Sequence, residues 1–475
     1  MQWKRTKIIC TIGPASAKPA VLEKMVRAGM NVARLNFSHG THAEHKKLIA
    51  SIRAVSKKTG QPITILQDLQ GPKVRVGELP KEGVMLVDGE SVVFTTGQKK
   101  GKQIPVGYAG LHRDVHRGDH ILLDDGLLEV EVTKVSGKLM TTRVLVGGLL
   151  TSHKGFNVPT ASLSVDALPK KDIEDLHFGV EMGVDVVAMS FVRTPQEVQH
   201  LRRLLTAAQK KSRGDKTPIL IIAKIEKHEA LKNLDAIIEV VDGIMVARGD
   251  LAVETPAAEV PLWQKTMVKR CLVAAKPVIV ATQMLDSMIR NPRPTRAEIS
   301  DVANAIIDHT DAVMLSGESA SGKYPIEAVT TMATVAIETE ASCFDDLHIH
   351  IRAGEALSPE VAIGKTAGML AHATEAKAIV GCSITGHTAR QLSRFRPEIP
   401  VFMGTSNPRV LRQMNLSWGI LPFLTPRART AEALKKSILR HLVAVHALHV
   451  GDRIIYVSGI PGKQGETNQV TVETV

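Results

Sequence analysis

Two apolar runs end abruptly in charge. ILIIAKIE (219–226) delivers Lys224 and Glu226, and IMVARGD (244–250) delivers Arg248 and Asp250. An unbroken Ile/Leu/Val run reads as a parallel strand buried on both faces. Charge at its C-terminal end sits where α/β barrels build active sites. Two carboxylates on neighbouring strand ends suit one hard cation, since Mg²⁺ is usually bound by one or two carboxylates plus phosphate oxygens. A lysine beside them suits phosphate. On one strand alone, Lys224 and Glu226 read equally well as a solvated pair, but the pattern repeats. Other runs end in Arg34-Leu35-Asn36-Phe37-Ser38-His39, in Asp68-Leu69-Gln70-Gly71-Pro72-Lys73-Val74-Arg75, in Thr282-Gln283 and in Ser316-Gly317-Glu318-Ser319. Cations, carboxylates and hydroxyls converging at one rim favour phosphoryl transfer, which runs on positioning and electrostatic stabilisation.

The elements that must carry these residues alternate. Apolar runs at 7–13, 32–37, 63–69, 185–192, 218–226, 242–250, 277–285 and 312–319 read as strands, with helical patterns between them. Eight strands alternating with helices predict a (β/α)8 TIM barrel rather than an open sheet. From Gly71-Pro72 to about Val165 the helical period disappears. Alternating stretches separated by Asp88-Gly89, Asp125-Gly126 and Ser136-Gly137 replace it, which predicts an inserted small β-barrel lid domain after strand three. Residues 359–474 alternate again and predict a C-terminal open α/β domain, with strands at 377–384, 400–404, 452–458 and 468–474. The division expected is therefore a barrel of 1–71 and 165–345, a lid of 72–164 and a third domain of 346–475.

Composition narrows the function classes. The chain has 475 residues, 44% hydrophobic and 23% charged, ordinary values for a soluble globular protein. No apolar run is long enough to span a bilayer, and the start MQWKRTKIIC lacks the apolar stretch of a signal peptide. Cys10, Cys271, Cys343 and Cys382 are scattered and fit neither a disulfide framework nor a zinc site, so a cytoplasmic location is expected. The net charge of +12 raises nucleic acid as a partner, but aromatic content is only 3% and no run of five basic residues occurs. Small anionic substrates account for the excess equally well.

The chain resembles the pyruvate kinases across essentially its whole length. The matching segments, in family order, are TKIICTIGPAS (6–16), ARLNFSHG (33–40), QDLQGPKVR (67–75), KGFNVP (154–159), IAKIEKHEAL (222–231), GIMVARGDLAVE (243–254), ATQMLDSMIRNPRPTRAE (281–298) and DAVMLSGESASGKYP (311–325). The resemblance implies transfer of the phosphoryl group of phosphoenolpyruvate to ADP, giving pyruvate and ATP, in a cytoplasmic homotetramer. By the same resemblance Glu226 and Asp250 match the ligands of Mg²⁺, with Mn²⁺ as an alternative. Lys224 matches the lysine that neutralises the phosphoryl group in flight. Ala247, Arg248, Gly249 and Asp250 resemble the turn that holds the substrate carboxylate, and Thr282 matches the threonine tied to proton transfer. Arg34 and Arg75 match phosphate-contacting arginines; His39 and Lys154 resemble nucleotide contacts. Ser316 and Glu318 resemble rim residues with mainly structural roles.

Asn36, Ser38 and Asp68 match a monovalent-cation site. The K⁺-requiring pattern has Thr after that Asp and Glu five residues on from it, where this chain has Leu69 and Lys73. A lysine ammonium and K⁺ are both compact monovalent charges, so no K⁺ requirement is expected. The alternative is that Lys73 points to solvent at the lid hinge. The last domain resembles the family's effector domain. There, Ser383, Thr385, Gly386, His387 and Thr388 follow a strand and open a helix, a setting for a phosphorylated effector, and the loop 458–465 is placed to close over it. A plain strand-to-helix turn is the alternative. Two competing functions remain at this stage: another Mg²⁺-dependent barrel enzyme acting on phosphoenolpyruvate or pyruvate, of lyase type, and a basic nucleic-acid-binding protein.

Overall fold

The computed structural model describes residues 4–347, 357–428, 430–459 and 467–475. Eight parallel strands close into a barrel: β1 (Lys7–Thr11), β2 (Val32–Asn36), β3 (Thr64–Asp68), β4 (Val186–Met189), β5 (Leu220–Ile225), β6 (Gly243–Ala247), β7 (Val278–Ala281) and β8 (Ala312–Leu315). Each pairs with its sequence neighbours, and β1 pairs with β8. Helices between them begin at chemically legible points. Thr41 and Thr295 each cap a helix and exchange hydrogen bonds with a glutamate three residues on, Glu44 and Glu298.

Strand period decides what reaches the mouth of this barrel. Ile9, Val32, Leu66, Ala188 and Ile222 belong to the buried inner cluster of the barrel. Side chains alternate along a strand. Two residues further on, the same face therefore presents Thr11, Arg34, Asp68, Ser190 and Lys224 at the C-terminal end. The opposite parity, with Ile65 and Leu69 among it, packs into the larger cluster outside the barrel wall.

Several strands stop earlier than the sequence suggests. β6 was expected to reach Asp250 but ends at Ala247, and Arg248–Glu254 is a short helix. Asp250 thus sits in a first helical turn, where a negative charge complements the unpaired N–H groups. β7 was expected to run to 285 but ends at Ala281, because Thr282 and Gln283 take left-handed φ values of 71° and 53°. β8 stops at Leu315, and Gly317–Ala320 is helical.

The segment between β3 and the helix Lys170–Met182 forms a six-stranded sheet and a two-stranded ribbon. Its own core includes Phe94 and Phe156, whose rings meet edge to face at 5.5 Å. Asp125-Gly126 and Ser136-Gly137 turn hairpins, since Leu128–Ser136 pairs antiparallel with both His120–Leu123 and Leu139–Val146. Asp88-Gly89 does not: Val84–Leu86 pairs with Gly148–Leu150, whereas Ser91–Thr95 pairs with Leu139–Val146.

The last domain is an open five-stranded sheet of β9 (Ala378–Cys382), β10 (Val401–Thr405), β11 (Ile420–Leu424), β12 (Arg453–Gly459) and β13 (Thr467–Thr474), in the order β11-β10-β9-β12-β13. Four strands are parallel and β13 is antiparallel. β11 escapes sequence reasoning because Pro422 interrupts it. Proline lacks the N–H a ladder needs and is tolerated at a sheet edge, which is where β11 lies. This domain seats against the N-terminal end of the barrel. Trp418 is buried at the seam, with the guanidinium groups of Arg5 and Arg396 each 5.1 Å from its ring centroid. Its backbone N–H donates to Asp311 Oδ1 at 3.0 Å, and Arg412 pairs with Asp185 at 2.8 Å.

Candidate active site

Lys224 stands between two carboxylates at the barrel mouth. Its Nζ is 2.9 Å from Glu226 Oε1 and 3.4 Å from Asp68 Oδ1, and it donates to Ser190 Oγ at 2.8 Å. Burial alone would depress the lysine's pKa, but Asp68 and Glu226 more than offset it and hold the amine charged well above its ordinary range. Burial raises Asp68 too, yet Lys224 and Arg34 bring it below the usual carboxylate value. Glu226 moves the other way: burial, with the nearby Asp250 charge added, pushes it up despite Lys224. A carboxyl raised by a second carboxylate shares a site with it.

The surrounding groups fix these three. Arg34 Nε donates to Asp68 Oδ2 at 2.7 Å and its Nη1 to Thr11 Oγ1 at 2.8 Å. Glu226 Oε2 accepts the Phe191 N–H at 2.6 Å. That amide is aimed by a left-handed Phe191, φ 54°. Gly71 packs against the same bend. A Cβ there would lie 2.8 Å from both Phe191 Cδ2 and Ser190 Cβ, and its φ of 72° is itself left-handed.

The helix after β6 carries the second half of the site. Arg248 is held by its neighbours: it donates to Asp301 Oδ1 at 2.7 Å and to the Thr282 carbonyl at 2.8 Å. Gly249 N–H donates to Thr282 Oγ1 at 2.8 Å, and that hydroxyl donates to the Ala281 carbonyl at 2.6 Å. Asp250 is part-exposed, with Lys73 Nζ 3.5 Å from its Oδ1. Glu318 accepts the Leu285 and Ser316 amides at 3.1 and 2.7 Å, which fits a structural role at the rim.

The remaining candidates are more dispersed. Asn36 Oδ1 accepts the Ser38 N–H at 3.0 Å, inside its own loop. Leu69 points outward into the core, and only its carbonyl meets the mouth, accepting from Ser190 Oγ at 2.7 Å. Lys73 reaches Asp250 and, at 4.0 Å, Asp125 of the inserted sheet. Arg75 donates to the His153 carbonyl at 2.9 Å, Lys154 pairs with Asp124 at 2.8 Å, and His39 is exposed. In the last domain Gly386 (φ 78°) precedes the helix His387–Ser393, Ser383 is buried and Thr385 exposed. Thr388 Oγ1 lies 2.8 Å from Thr467 Oγ1. Of the loop 458–465, residues 460–465 lie outside the described residues.

Sequence reasoning passed over Thr11, Ser190, Phe191, Asp172 and Asp301. Ser190 was findable, since it is a small polar residue two past the inward Ala188. Asp172, which accepts the Gln70 and Gly71 amides at 3.2 and 2.8 Å, comes from a helix far along the chain and carried no local signal.

A lysine charged between buried carboxylates at the mouth of a closed barrel accords with the comparisons. The family model for the pyruvate kinase barrel domain matches residues 3–329, and that for the pyruvate kinase alpha/beta domain matches 361–473. The pyruvate kinase of Geobacillus stearothermophilus is 44% identical over 479 residues, 99% of this chain and 80% of that protein. That of Sporosarcina psychrophila is 43% identical over 478 residues, with the same coverage. That of Clostridium acetobutylicum is 42% identical over 480 residues, 99% of this chain and all of that protein. Among the described residues no helix is long and apolar enough to cross a membrane. With both domain models and near-full-length relatives agreeing, the chain belongs to the pyruvate kinase family.

Proposed function

We propose that the barrel mouth moves the phosphoryl group of phosphoenolpyruvate to ADP, giving pyruvate and ATP, with Lys224, Arg34 and Thr282 as its catalytic residues. The observation that carries this reading is the Lys224 amine, kept cationic between Asp68 and Glu226. A preorganised charge aimed at a transferring phosphoryl group stabilises the transition state without reorganising.

Glu226 and Asp250 fit a divalent ion, since both offer carboxylate oxygens to one shared region. They would hold Mg²⁺, or Mn²⁺ in its place. When bound, that ion supplies charge compensation for the phosphate oxygens. Arg34, braced by Asp68 and Thr11, presents its guanidinium to phosphate. The turn Ala247-Arg248-Gly249-Asp250 receives the substrate carboxylate. Thr282, its hydroxyl fixed by Gly249 and Ala281, stands at the proton-transfer step. His39, Arg75 and Lys154 contact the nucleotide as the inserted domain approaches. Asn36, Ser38 and Asp68 need no K⁺, because Lys73 supplies the monovalent charge. Leu69 contributes only its carbonyl.

The division 1–71 with 165–345, 72–164 and 346–475 is carried forward as barrel, lid and effector domain. Thr385, Gly386 and Thr388, with Ser383 and His387, would receive a phosphorylated effector, and the working form would be a cytoplasmic homotetramer. The test is a coupled assay for pyruvate formation from phosphoenolpyruvate with Mg²⁺. Pyruvate strictly dependent on ADP supports the reading. Pyruvate released without ADP points to the lyase alternative.

A further inference from the structure

His228, Glu229 and Glu254 bring three donor atoms to one point. His228 and Glu229 open the short helix His228–Lys232 that follows β5, and Glu254 closes the helix that follows β6. A ring nitrogen of His228 and one oxygen from each carboxylate all lie within 4.8 Å of one another. Nδ1 is 3.2 Å from Glu229 Oε2 and 3.7 Å from Glu254 Oε2. All three atoms are buried, and none has a hydrogen-bond partner among the described residues. The Glu254 side chain is only 1% exposed, so its free oxygen is an expensive orphan in a folded protein.

The other oxygen of each carboxylate is already held. Glu254 Oε1 accepts from Lys227 Nζ at 2.6 Å and from Asn157 Nδ2 at 2.8 Å. Glu229 Oε1 accepts from Ser162 Oγ at 3.2 Å. Outer partners that fix a carboxylate while leaving one oxygen free are what orients metal ligands. Both contacts are longer than the roughly 2.7–2.9 Å of a tight charge-assisted hydrogen bond. Two donors bound to one tetrahedral Zn²⁺ at about 2.0–2.1 Å are separated by roughly 3.3 Å, which the two observed distances bracket.

We propose that His228, Glu229 and Glu254 form a second metal site, separate from Glu226 and Asp250, that takes a transition-metal dication of the Zn²⁺ type. The imidazole nitrogen selects such ions over Mg²⁺, which prefers oxygen and octahedral geometry. Three protein ligands leave a fourth position for water. Asn157, which ends the strand Phe156–Asn157 of the inserted sheet, and Ser162, on the segment returning from it to the barrel, hold the two carboxylates. An ion here would fasten that return segment to the ends of β5 and β6.

The probe is Zn²⁺ itself, bound to full-length, chelator-stripped protein in millimolar Mg²⁺ and counted by equilibrium dialysis. One Zn²⁺ per chain is expected in the wild type and in Glu226→Gln, with affinity lowered at least about 10-fold in His228→Gln and in Glu229→Gln. Absence of Zn²⁺ binding in Mg²⁺, unchanged binding in His228→Gln, or loss in Glu226→Gln would each overturn the proposal. Should a variant fail to fold, zinc-edge X-ray absorption on the wild type decides. One imidazole with carboxylate oxygens in the first shell supports the site, and a shell without imidazole refutes it.

Discussion

The Lys73 ammonium stands 3.5 Å from Oδ1 of Asp250. A fixed positive charge is therefore stationed beside a proposed metal ligand. Wild-type turnover in tetramethylammonium buffer should be unchanged by KCl at constant ionic strength, whereas Lys73→Glu should fall about 10-fold or more and regain activity with KCl. Since Leu69 faces away from the mouth, the single substitution suffices. Strong KCl activation of the wild type would remove the basis for this reading.

Lys224→Met tests the central charge. Losing a preorganised charge commonly costs about 10²-fold or more in rate. It also removes the cation beside the buried Glu226, while Asp68 keeps its pair with Arg34. Breaking a buried ion pair from one side typically destabilises by about 3–5 kcal/mol. Steady-state kinetics and urea denaturation should show both losses. Near-normal turnover in a folded Lys224→Met would eliminate the role.

Much of this site was legible because strand period is rigid. Once Val32, Leu66 and Ile222 are inward, Arg34, Asp68 and Lys224 must share the mouth. What stayed hidden depends on backbone bends that residue type does not announce. Phe191, Thr282 and Gln283 take left-handed φ without being glycine, so the amide that holds Glu226 and the early stop of β7 were unforeseeable. Asp250 on a helix rather than a strand follows from that same abruptness at the rim. Asp172 and Asp301 act across long sequence separations, where only the closed fold supplies the neighbour.

The Asp172 carboxyl offers a pH signature. Burial pushes it up from 3.8 to about 6, the Asp175 charge adding to the rise, although the Gly71 and Gln70 amides work against it. A folded-state pKa above the unfolded one means the native chain holds a proton the unfolded chain has released. That contribution is complete below about pH 4 and is lost as pH rises through 6. Wild-type melting temperature should therefore drop between pH 4 and 6.5 relative to Asp172→Asn, which cannot titrate. Parallel pH curves for the two proteins would contradict this.

Thr385→Ala addresses regulation. The residue is exposed on the turn before the helix His387–Ser393. If that turn receives a phosphorylated metabolite, the variant should require at least about 10-fold more AMP or sugar phosphate for half-maximal activation. An unchanged activation curve would place the effector elsewhere.

The indole at the seam carries a consequence for how the molecule comes apart. Trp418 is gripped by Arg5 from the first strand's approach and by Arg396 from the last domain, and its amide is tied to Asp311 beside β8. Neither side of that grip is complete alone, so the C-terminal sheet is not a detachable module. Calorimetry should record a single endotherm for the two units. Trp418→Ala, at about 3–5 kcal/mol, should split it in two, converting one cooperative body into a pair of independently melting ones.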